Sequence, residues 1–194
     1  MSSTALLTPE LLLRAYATGC FPMADDESNE ILWFAPDPRS IIPLDRFRVP
    51  RSLRRTIRSA TFDVRMDTAF EVVIRSCADR PRTWISEEIL ETYLELHRRG
   101  FAHSVETWRD GLLAGGLYGV ALGGAFFGES MFHHAADASK VALVSLVNWL
   151  RARGFELLDT QFTTPHLQRF GAVEIPREEY ESRLSHAIRL DVSW

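Results

Sequence analysis

Apolar residues recur at helical spacing in several stretches of the chain. Between Ser86 and Arg99 they occupy positions 89, 90, 93, 94 and 96, with Ser86 as a capping residue and Gly100 as a stop signal. Residues 138–153 show the clearest helical pattern, and Gly154 follows them directly. These patterns predict two long amphipathic helices. Shorter helices are predicted at residues 9–16, 51–58, 68–77 and 166–170.

Alternating or glycine-interrupted apolar stretches predict the strands. They cover residues 31–34, 62–66, 103–108, 112–122, 125–132 and 155–162. Asp110-Gly111 and Gly123-Gly124 are typical of hairpin turns, so three of these strands should pair antiparallel in succession. The order of helices and strands predicts an α+β fold in which helices cover a mixed sheet. It is also the order of the acetyltransferase-like (GNAT) core, and on fold analogy alone that order assigns no function.

The first part of the chain has little regular pattern. Phe21-Pro22-Met23 is interpreted as an ordered turn, and Pro36, Pro38 and Pro43 should prevent any long regular element. We therefore expect a small N-terminal domain at residues 1–45 and a larger GNAT-like domain at residues 46–194.

Composition is that of a globular protein that needs no metal or disulfide for stability. The chain has 194 residues, of which 46% are hydrophobic and 25% charged. Cys20 and Cys77 lack CxxC or metal-ligand spacing and are interpreted as free thiols in a reducing cytosol. No signal peptide and no uncharged apolar run long enough for a membrane span are recognised. A cytoplasmic protein is expected.

Charge is unevenly distributed along the sequence. The net charge of −4 argues against a protein coated in nucleic acid. Residues 46–58, however, contain six arginines and no acid. This stretch is either a solvated arginine face or a surface that contacts phosphate groups.

Polar residues on two predicted strands are candidates for chemistry. Asp159 and Gln161 are two positions apart on one strand and should share a face, and Glu129 follows two phenylalanines on another. They form either structural polar pairs or a site that binds a cation or takes a proton from an amine. His133-His134 would face opposite ways, so no metal site is predicted. His166, at a predicted helix start, is expected to have a capping or structural role and not a catalytic one.

Several motifs occur in the order and spacing of a known family. They run from Leu13–Met23 and Trp33–Arg39, through Gly115–Val120, Phe127–Phe132 and Ala138–Leu143, to Asp159-Thr160-Gln161, His166-Leu167 and residues 171–177. Over nearly the whole chain the sequence resembles leucyl/phenylalanyl-tRNA–protein transferases. One departure is Trp33-Phe34, where Trp-Trp is common in the family.

The resemblance implies a small N-terminal domain followed by a GNAT-like domain. It implies an enzyme that moves leucine or phenylalanine, or methionine, from aminoacyl-tRNA to proteins with N-terminal arginine or lysine, marking them for degradation through the N-end rule pathway. Its partners would be aminoacyl-tRNA and such proteins. A cofactor would not be needed, since aminoacyl-tRNA is a co-substrate, and a monomer is favoured.

Site residues carried over by position fall into three groups. In the catalytic group, Asp159 would draw the proton from the attacking amine through Gln161, while Glu129 would hold the acceptor or orient the aminoacyl group. The aminoacyl pocket would be lined by Leu117, Phe126, Leu143, Leu146 and Leu158, although the sequence alone favours a core position for each one taken singly. Contacts to tRNA would come from Trp33, Trp84, Arg51, Arg54 and Arg55, although tryptophans more often fill the core.

Two other functions fit part of the sequence. A GNAT acetyltransferase would use acetyl-CoA, but residues 136–140 lack the loop that binds its pyrophosphate. A non-catalytic tRNA-binding module would explain the arginines and tryptophans, but it gives no reason for Glu129, Asp159 and Gln161.

Overall fold

The computed structural model describes residues 7–25 and 27–194. Within these residues the α-helices are α1 (Pro9–Ala17), α2 (Arg51–Arg58), α3 (Phe70–Ala78), α4 (Glu87–Arg98), α5 (Ala138–Arg153), α6 (Pro165–Gln168) and α7 (Arg177–Ala187). The strands are β1 (Phe21–Ala24), β2 (Ile31–Phe34), β3 (Arg39–Ile41), β4 (Asp63–Met66), β5 (Ala102–Arg109), β6 (Leu112–Leu122), β7 (Ala125–His133), β8 (Leu157–Gln161) and β9 (Val173–Ile175). None of the helices in the described ranges combines the length and apolar character needed to cross a membrane.

Seven strands form one mixed sheet in the order β4-β5-β6-β7-β8-β3-β9. Every neighbouring pair is antiparallel except β7 and β8, which run parallel. A parallel pair needs a crossover, and α5 supplies it between these two strands. The predicted α+β class with a mixed sheet is confirmed, as is the order of elements on which the GNAT-like interpretation was based.

Helices cover both faces of the sheet because neighbouring residues on a strand face opposite ways. On β6, Leu117 packs with α5 on one face, and Tyr118 packs with α1, α3 and α4 on the other. On β7 the same alternation separates Phe126 from Phe127. The chain thus builds two apolar layers, one on each face of a shared sheet.

Local signals explain where the main helices begin and end. The side chains of Thr8 and Ser86 accept hydrogen bonds from the first turns of α1 and α4, as their capping positions require. Gly154 ends α5 with a left-handed φ of 82°, which glycine adopts without a steric penalty. The predicted bounds of α2 and α5 agree with the structure.

The N-terminal part is less separate than the sequence suggests. β1 and β2 form their own two-stranded sheet, although residues 21–23 were predicted to form a turn. β3, which falls in the predicted domain 1–45, lies inside the large sheet between β8 and β9. Leu12 and Tyr16 of α1 share one apolar core with α3, α4 and α7. The first 45 residues therefore do not bury a core of their own.

β3, β9 and α7 have no counterpart among the predicted elements. β3 and β9 are each three residues long, too short for alternation to be recognised, and β3 lies among prolines. They are strands because they pair with each other and, in β3, with β8. Tertiary pairing therefore determines their structure.

Candidate active site

A cavity of about 450 Å³ opens where β7 and β8 separate. Their parallel pairing runs only from Ala125 and Leu157 to Phe127 and Asp159. Beyond that point the two strands line opposite walls of the cavity, with Glu129 on one and Gln161 on the other. Its size is within the range of small-molecule sites, about 300–1,000 Å³.

The cavity is lined mainly by apolar side chains. Four of the five residues predicted to form an aminoacyl pocket, Leu117, Leu143, Leu146 and Leu158, line it, together with Met131, Phe162 and Leu167. Such a lining can take an apolar side chain of leucine or phenylalanine size by removing it from water.

Phe126, the fifth predicted pocket residue, does not line the cavity. It is fully buried, and its ring stacks on Trp194 with the centroids 5.3 Å apart. Its ring packs against Gly119 of β6, where any side chain would clash with it, so it is enclosed away from the cavity. Its place is in the core.

Glu129 carries the chemistry that distinguishes this cavity from plain core. Its Oε1 accepts hydrogen bonds from the Tyr16 hydroxyl at 2.7 Å and from Gln161 Nε2 at 3.1 Å. Its Oε2 accepts none from the described residues. Burial raises the pKa of Glu129 to about 7, even though the bond from Tyr16 acts in the opposite direction. Near neutral pH this carboxyl can therefore both accept and release a proton.

Tyr16 is itself held by a second buried tyrosine. Its hydroxyl is hydrogen-bonded to that of Tyr93 on α4, and burial raises the pKa of both well above the usual value. Both hydroxyls therefore stay protonated and can donate. Sequence reasoning missed this pair, because tyrosines within apolar helical patterns look like ordinary core.

Asp159 lies behind the cavity wall and is completely buried. Arg39 on β3 binds its carboxylate with Nε at 3.0 Å and Nη2 at 2.7 Å. The Tyr180 hydroxyl and the backbone amide of Gln161 also donate to it, at 2.7 and 2.8 Å. Asp159 does not line the cavity. Its lone pairs are engaged, so it acts on the cavity through Gln161.

Arg39 is the main residue of this site that the sequence interpretation passed over. It is 1% exposed, and its Nη1 donates to the carbonyl of Gly19 at 2.8 Å. Its guanidinium lies between the rings of Phe21 and Tyr180, with centroids 4.8 and 4.6 Å away. The only sequence signal was an arginine at the end of a motif, followed by Ser40 and two isoleucines.

Gln161 is held in an unusual backbone conformation. Its φ of 54° lies in the left-handed region, which costs a residue with a side chain about 1–3 kcal/mol. The hydrogen bond from its amide to Asp159 Oδ1 stabilises that conformation. The consequence is that the side-chain amide reaches Glu129 across the gap between the strands.

The two predicted tryptophans are not brought together. Trp84 is partly buried and lines a shallow depression of about 360 Å³ with Met23, Leu32 and Phe34. Trp33 does not line it, because on β2 it points away from the face shared by Leu32 and Phe34. Trp33 is 42% exposed.

The depression beside Trp84 is linked to the cavity by aromatic rings. Phe34 stacks on Phe21 with centroids 6.1 Å apart, and Phe21 meets the edge of Phe162 at 5.8 Å. Phe162 is part of the cavity lining. The rings therefore connect the depression with the cavity wall through the buried Phe21.

Arg51, Arg54 and Arg55 are exposed on α2, as the sequence predicts. Leu53 anchors the helix by its buried side chain, and α2 contains no acidic residue. In the part of the chain that the structure describes, none of these arginines forms an ion pair. They present free positive charge to the solvent.

His166 has a different place from the one expected. Thr164, not His166, caps α6 by accepting a hydrogen bond from the amide of Leu167. The prediction of a capping role is therefore wrong. His166 lines the cavity, and burial lowers its pKa.

Cys20 and Cys77 are free thiols. Residues 7–25 and 27–194 contain no cluster of three potential metal ligands.

An apolar cavity whose wall carries a titrating carboxyl and an amide is typical of enzymes that hold an apolar group beside a basic reactant. The fold and the site thus indicate an enzyme with an apolar and an amine-bearing substrate.

Comparison with known proteins identifies the family of this enzyme. A sequence model of the leucyl/phenylalanyl-tRNA protein transferase N-terminal domain matches residues 5–37, and that of leucyl/phenylalanyl-tRNA protein transferase matches residues 41–185.

Relatives agree over nearly the whole chain. A leucyl/phenylalanyl-tRNA–protein transferase of Salinibacter ruber is 57% identical over 97% of this chain and 83% of its own length. One from Gloeobacter violaceus is 59% identical over 95% of both chains, and one from Herpetosiphon aurantiacus is 57% identical over 98% of this chain and 100% of its own. The chain belongs to the leucyl/phenylalanyl-tRNA–protein transferase family and is an aminoacyltransferase.

Solved structures give a much weaker likeness. The structure of L-PGS from Bacillus licheniformis has a TM-score of 0.44 at 14% identity, over 82% of this chain and 55% of that one. A C-terminal domain of a lysylphosphatidylglycerol synthetase from Agrobacterium fabrum has the same TM-score at 12% identity, over 94% of this chain and 57% of that one.

Proposed function

We infer that this protein transfers leucine or phenylalanine, and also methionine, from aminoacyl-tRNA to the N-terminal arginine or lysine of acceptor proteins. The observation that carries this inference is the apolar cavity with Glu129 and Gln161 on its walls. Family membership supports it independently. The new N-terminal residue would mark the acceptor for degradation.

The aminoacyl side chain would occupy the apolar part of the cavity. Leu117, Leu143, Leu146 and Leu158 surround the space, and burial of a leucine side chain there is worth about 1.5–3 kcal/mol. A cavity of about 450 Å³ leaves room for a ring as well. This favours apolar amino acids of more than one size.

The acceptor amine would be held at Glu129. An N-terminal arginine or lysine carries at least one positive charge besides its α-amine, and a carboxylate attracts it. Glu129 Oε2 accepts no hydrogen bond from the described residues, so it is available to the amine. The side-chain oxygen of Gln161 is a second acceptor, because its nitrogen already donates to Glu129.

The reaction exchanges an ester bond for a peptide bond. The amine nitrogen attacks the ester carbonyl carbon, the C–N bond forms, and the bond to the ribose oxygen of the tRNA breaks. The amine loses one proton and the ribose oxygen gains one. With a pKa of about 7, Glu129 can take up the first and release the second. Since the ester is already activated, juxtaposition of amine and carbonyl supplies most of the catalysis, and we propose that no cofactor is used.

Asp159 would act as a positioning residue in this mechanism. The sequence interpretation let it draw the proton through Gln161. Its carboxylate is instead saturated by Arg39, Tyr180 and the Gln161 amide. We therefore propose that it keeps Gln161 aimed at Glu129, and that Glu129 is the proton acceptor.

The tRNA would be bound outside the cavity. Arg51, Arg54 and Arg55 offer unpaired charge for phosphates of the acceptor stem. Trp84, with its aromatic link to the cavity, suits stacking on the terminal adenosine, whereas Trp33 is exposed on the other face of its strand. We place the reaction in the cytoplasm, where charged tRNA is used, and expect a monomer.

A transfer assay tests the function. The protein is incubated with radiolabelled leucyl-tRNA and a peptide that begins with arginine, and in parallel with one that begins with alanine. We expect label on the arginine peptide alone, abolished by prior RNase treatment and unaffected by coenzyme A.

Two results would contradict the proposal. Transfer from acetyl-CoA in place of leucyl-tRNA would indicate an acetyltransferase. Tight binding of leucyl-tRNA without any transfer would indicate a non-catalytic tRNA-binding module.

A further inference from the structure

A second cavity of about 730 Å³ adjoins the aminoacyl cavity and is not used by the mechanism above. The two share Met131 and His166 in their linings, so they are neighbours at that point. Whereas the aminoacyl cavity is mainly apolar, this cleft is lined by four charged side chains, Asp79, Arg80, Asp137 and Lys140, together with histidines.

Two cations lie on the walls of this cleft. Arg80 is exposed, and its Nη2 donates to Ser130 Oγ at 3.1 Å and to the carbonyl of Met131 at 2.5 Å. Ser130 and Met131 also line the aminoacyl cavity, so Arg80 lies at the boundary between the two spaces. Lys140, in the first turn of α5, is the single lysine of the chain.

Acidic residues line the same cleft, and one of them is already neutralised. Asp137 Oδ1 accepts from Lys140 Nζ at 2.7 Å, and Oδ2 accepts from Thr56 Oγ1 at 3.1 Å. The bond from Lys140 holds the pKa of Asp137 below its usual value. Lys140 keeps two further N–H donors that make no hydrogen bond to the described residues.

The contact between Thr56 and Asp137 connects the cleft to the arginine helix. Thr56 lies on α2, on the same helix as Arg51, Arg54 and Arg55. The cleft therefore meets the arginine helix at Asp137 and the aminoacyl cavity at Met131 and His166. A strand that contacts both can run along it.

We propose that this cleft holds the single-stranded 3′ end of the charged tRNA, with its phosphodiester groups near Arg80 and Lys140. The proposal rests on the function inferred above and adds the route from acceptor stem to aminoacyl cavity. A polyanion is favoured over the acceptor polypeptide because α2, which hydrogen-bonds the cleft wall through Thr56, is basic and lacks acids. Lys140 and Arg80 both have donors suited to phosphate oxygens.

A binding comparison tests the proposal. Leucyl-adenosine fills only the aminoacyl end of the route, while a leucylated CCA trinucleotide extends into the cleft. We expect the wild type to bind the trinucleotide about tenfold more tightly than leucyl-adenosine. In the double variant R80Q/K140Q this difference should disappear. In K140Q it should shrink while the affinity for leucyl-adenosine is unchanged, because the Lys140 side chain hydrogen-bonds Asp137 and no residue of the aminoacyl lining. The charge-conserving variant R80K/K140R should retain most of the difference.

A matched control comes from the other end of α5. Arg153 is exposed and lies about 20 Å from Lys140 along the helix. R153Q removes a positive charge without touching the cleft and should leave both affinities unchanged. Equal binding of the two ligands by the wild type, or an unchanged difference in R80Q/K140Q, would overturn the proposal.

Because the chain contains one lysine, chemical modification gives a second test. Acetic anhydride should acetylate Lys140 in the free protein, and leucylated trinucleotide at saturation should protect it severalfold, as measured by peptide mass spectrometry. Saturating peptide with N-terminal arginine should not protect it. Protection by the peptide alone would assign the cleft to the acceptor protein instead.

The wild-type transfer assay separates failure of this proposal from failure of the function. If the wild type transfers leucine but R80Q/K140Q binds like the wild type, the route is wrong and the function stands. If the wild type transfers nothing, the proposed function itself fails.

Discussion

Substitution of Arg39 by methionine would remove a buried cation and leave the carboxylate of Asp159 without its main partner. Arg39 donates hydrogen bonds to the Asp159 carboxylate and one to the carbonyl of Gly19. The side chains of Arg39 and Asp159 are at most 1% exposed. Breaking a buried ion pair from one side costs about 3–5 kcal/mol, because the remaining charge is uncompensated. Methionine fills a similar space, so the loss of stability in this variant results more from the missing charge than from altered packing.

The assay is urea denaturation of wild type and R39M, with thermal unfolding as a second readout. For a chain of this length we expect the free energy of unfolding to fall by about 3–5 kcal/mol and the midpoint temperature to fall by roughly 6–20 °C. R177M is the control, since Arg177 is half exposed and 3.9 Å from Asp37, and it should cost less than about 1 kcal/mol.

A double variant strengthens this test. R39M/D159N removes both charges, so its loss should be smaller than the sum of the two single losses. A loss below about 1 kcal/mol in R39M, or strict additivity in the double variant, would refute the assignment of Arg39 and Asp159 as a coupled buried pair.

Three further predictions concern activity. In E129Q the transfer rate should fall by about 10²–10⁴-fold. Single-turnover rates of the wild type should decrease as pH falls through about 7 because Glu129 becomes protonated, whereas E129Q should keep only the dependence that protonation of the acceptor α-amine causes; an E129Q rate equal to the wild type would contradict its role. L146A enlarges the aminoacyl cavity, so in a competition assay the preference should shift about tenfold from leucyl-tRNA towards phenylalanyl-tRNA. F126L should leave this preference unchanged because Phe126 is buried outside the cavity lining, and the opposite pattern would place Phe126 in the pocket. In the triple variant R51Q/R54Q/R55Q, a plot of the logarithm of tRNA affinity against the logarithm of salt concentration should have a slope that is smaller in magnitude by roughly 2–3. R153Q should leave the slope unchanged. An unchanged slope in the triple variant would mean that α2 does not contact tRNA.

Long elements could be predicted because their patterns repeat over many residues. α5 spans sixteen residues and ends at a glycine, and its predicted bounds agree with the structure. β6 agrees as well, since Gly111 and Gly123 mark its ends. α7 also carried a usable signal, because its buried residues Tyr180, Leu184 and Ala187 follow helical spacing.

The candidate site was predictable only in part. Leu117, Leu143, Leu146 and Leu158 were assigned to one pocket by position through the family resemblance, since two of them lie on strands and two on α5. The resemblance could not show that Phe126 is enclosed, because that depends on its packing against Gly119 and Trp194 in the folded protein. The distance between β7 and β8 at Glu129 and Gln161 is a property of the folded sheet and not of either strand.

Arg39 shows most clearly what local pattern leaves out. Its role depends on β3 lying next to β8, two strands that are more than one hundred residues apart in sequence. No spacing or propensity within residues 36–43 indicates such a pairing. The same holds for Tyr16 and Tyr93, which meet only when α1 packs on α4.

The identity of the product tests the proposed transfer more directly than any rate. Leucyl-tRNA and a peptide that begins with arginine are incubated with the wild-type protein, and the product is sequenced by tandem mass spectrometry. We expect a peptide extended by one leucine, joined by a peptide bond to the α-amine of arginine. An unmodified peptide, or leucine attached at any other group, would contradict the proposed function.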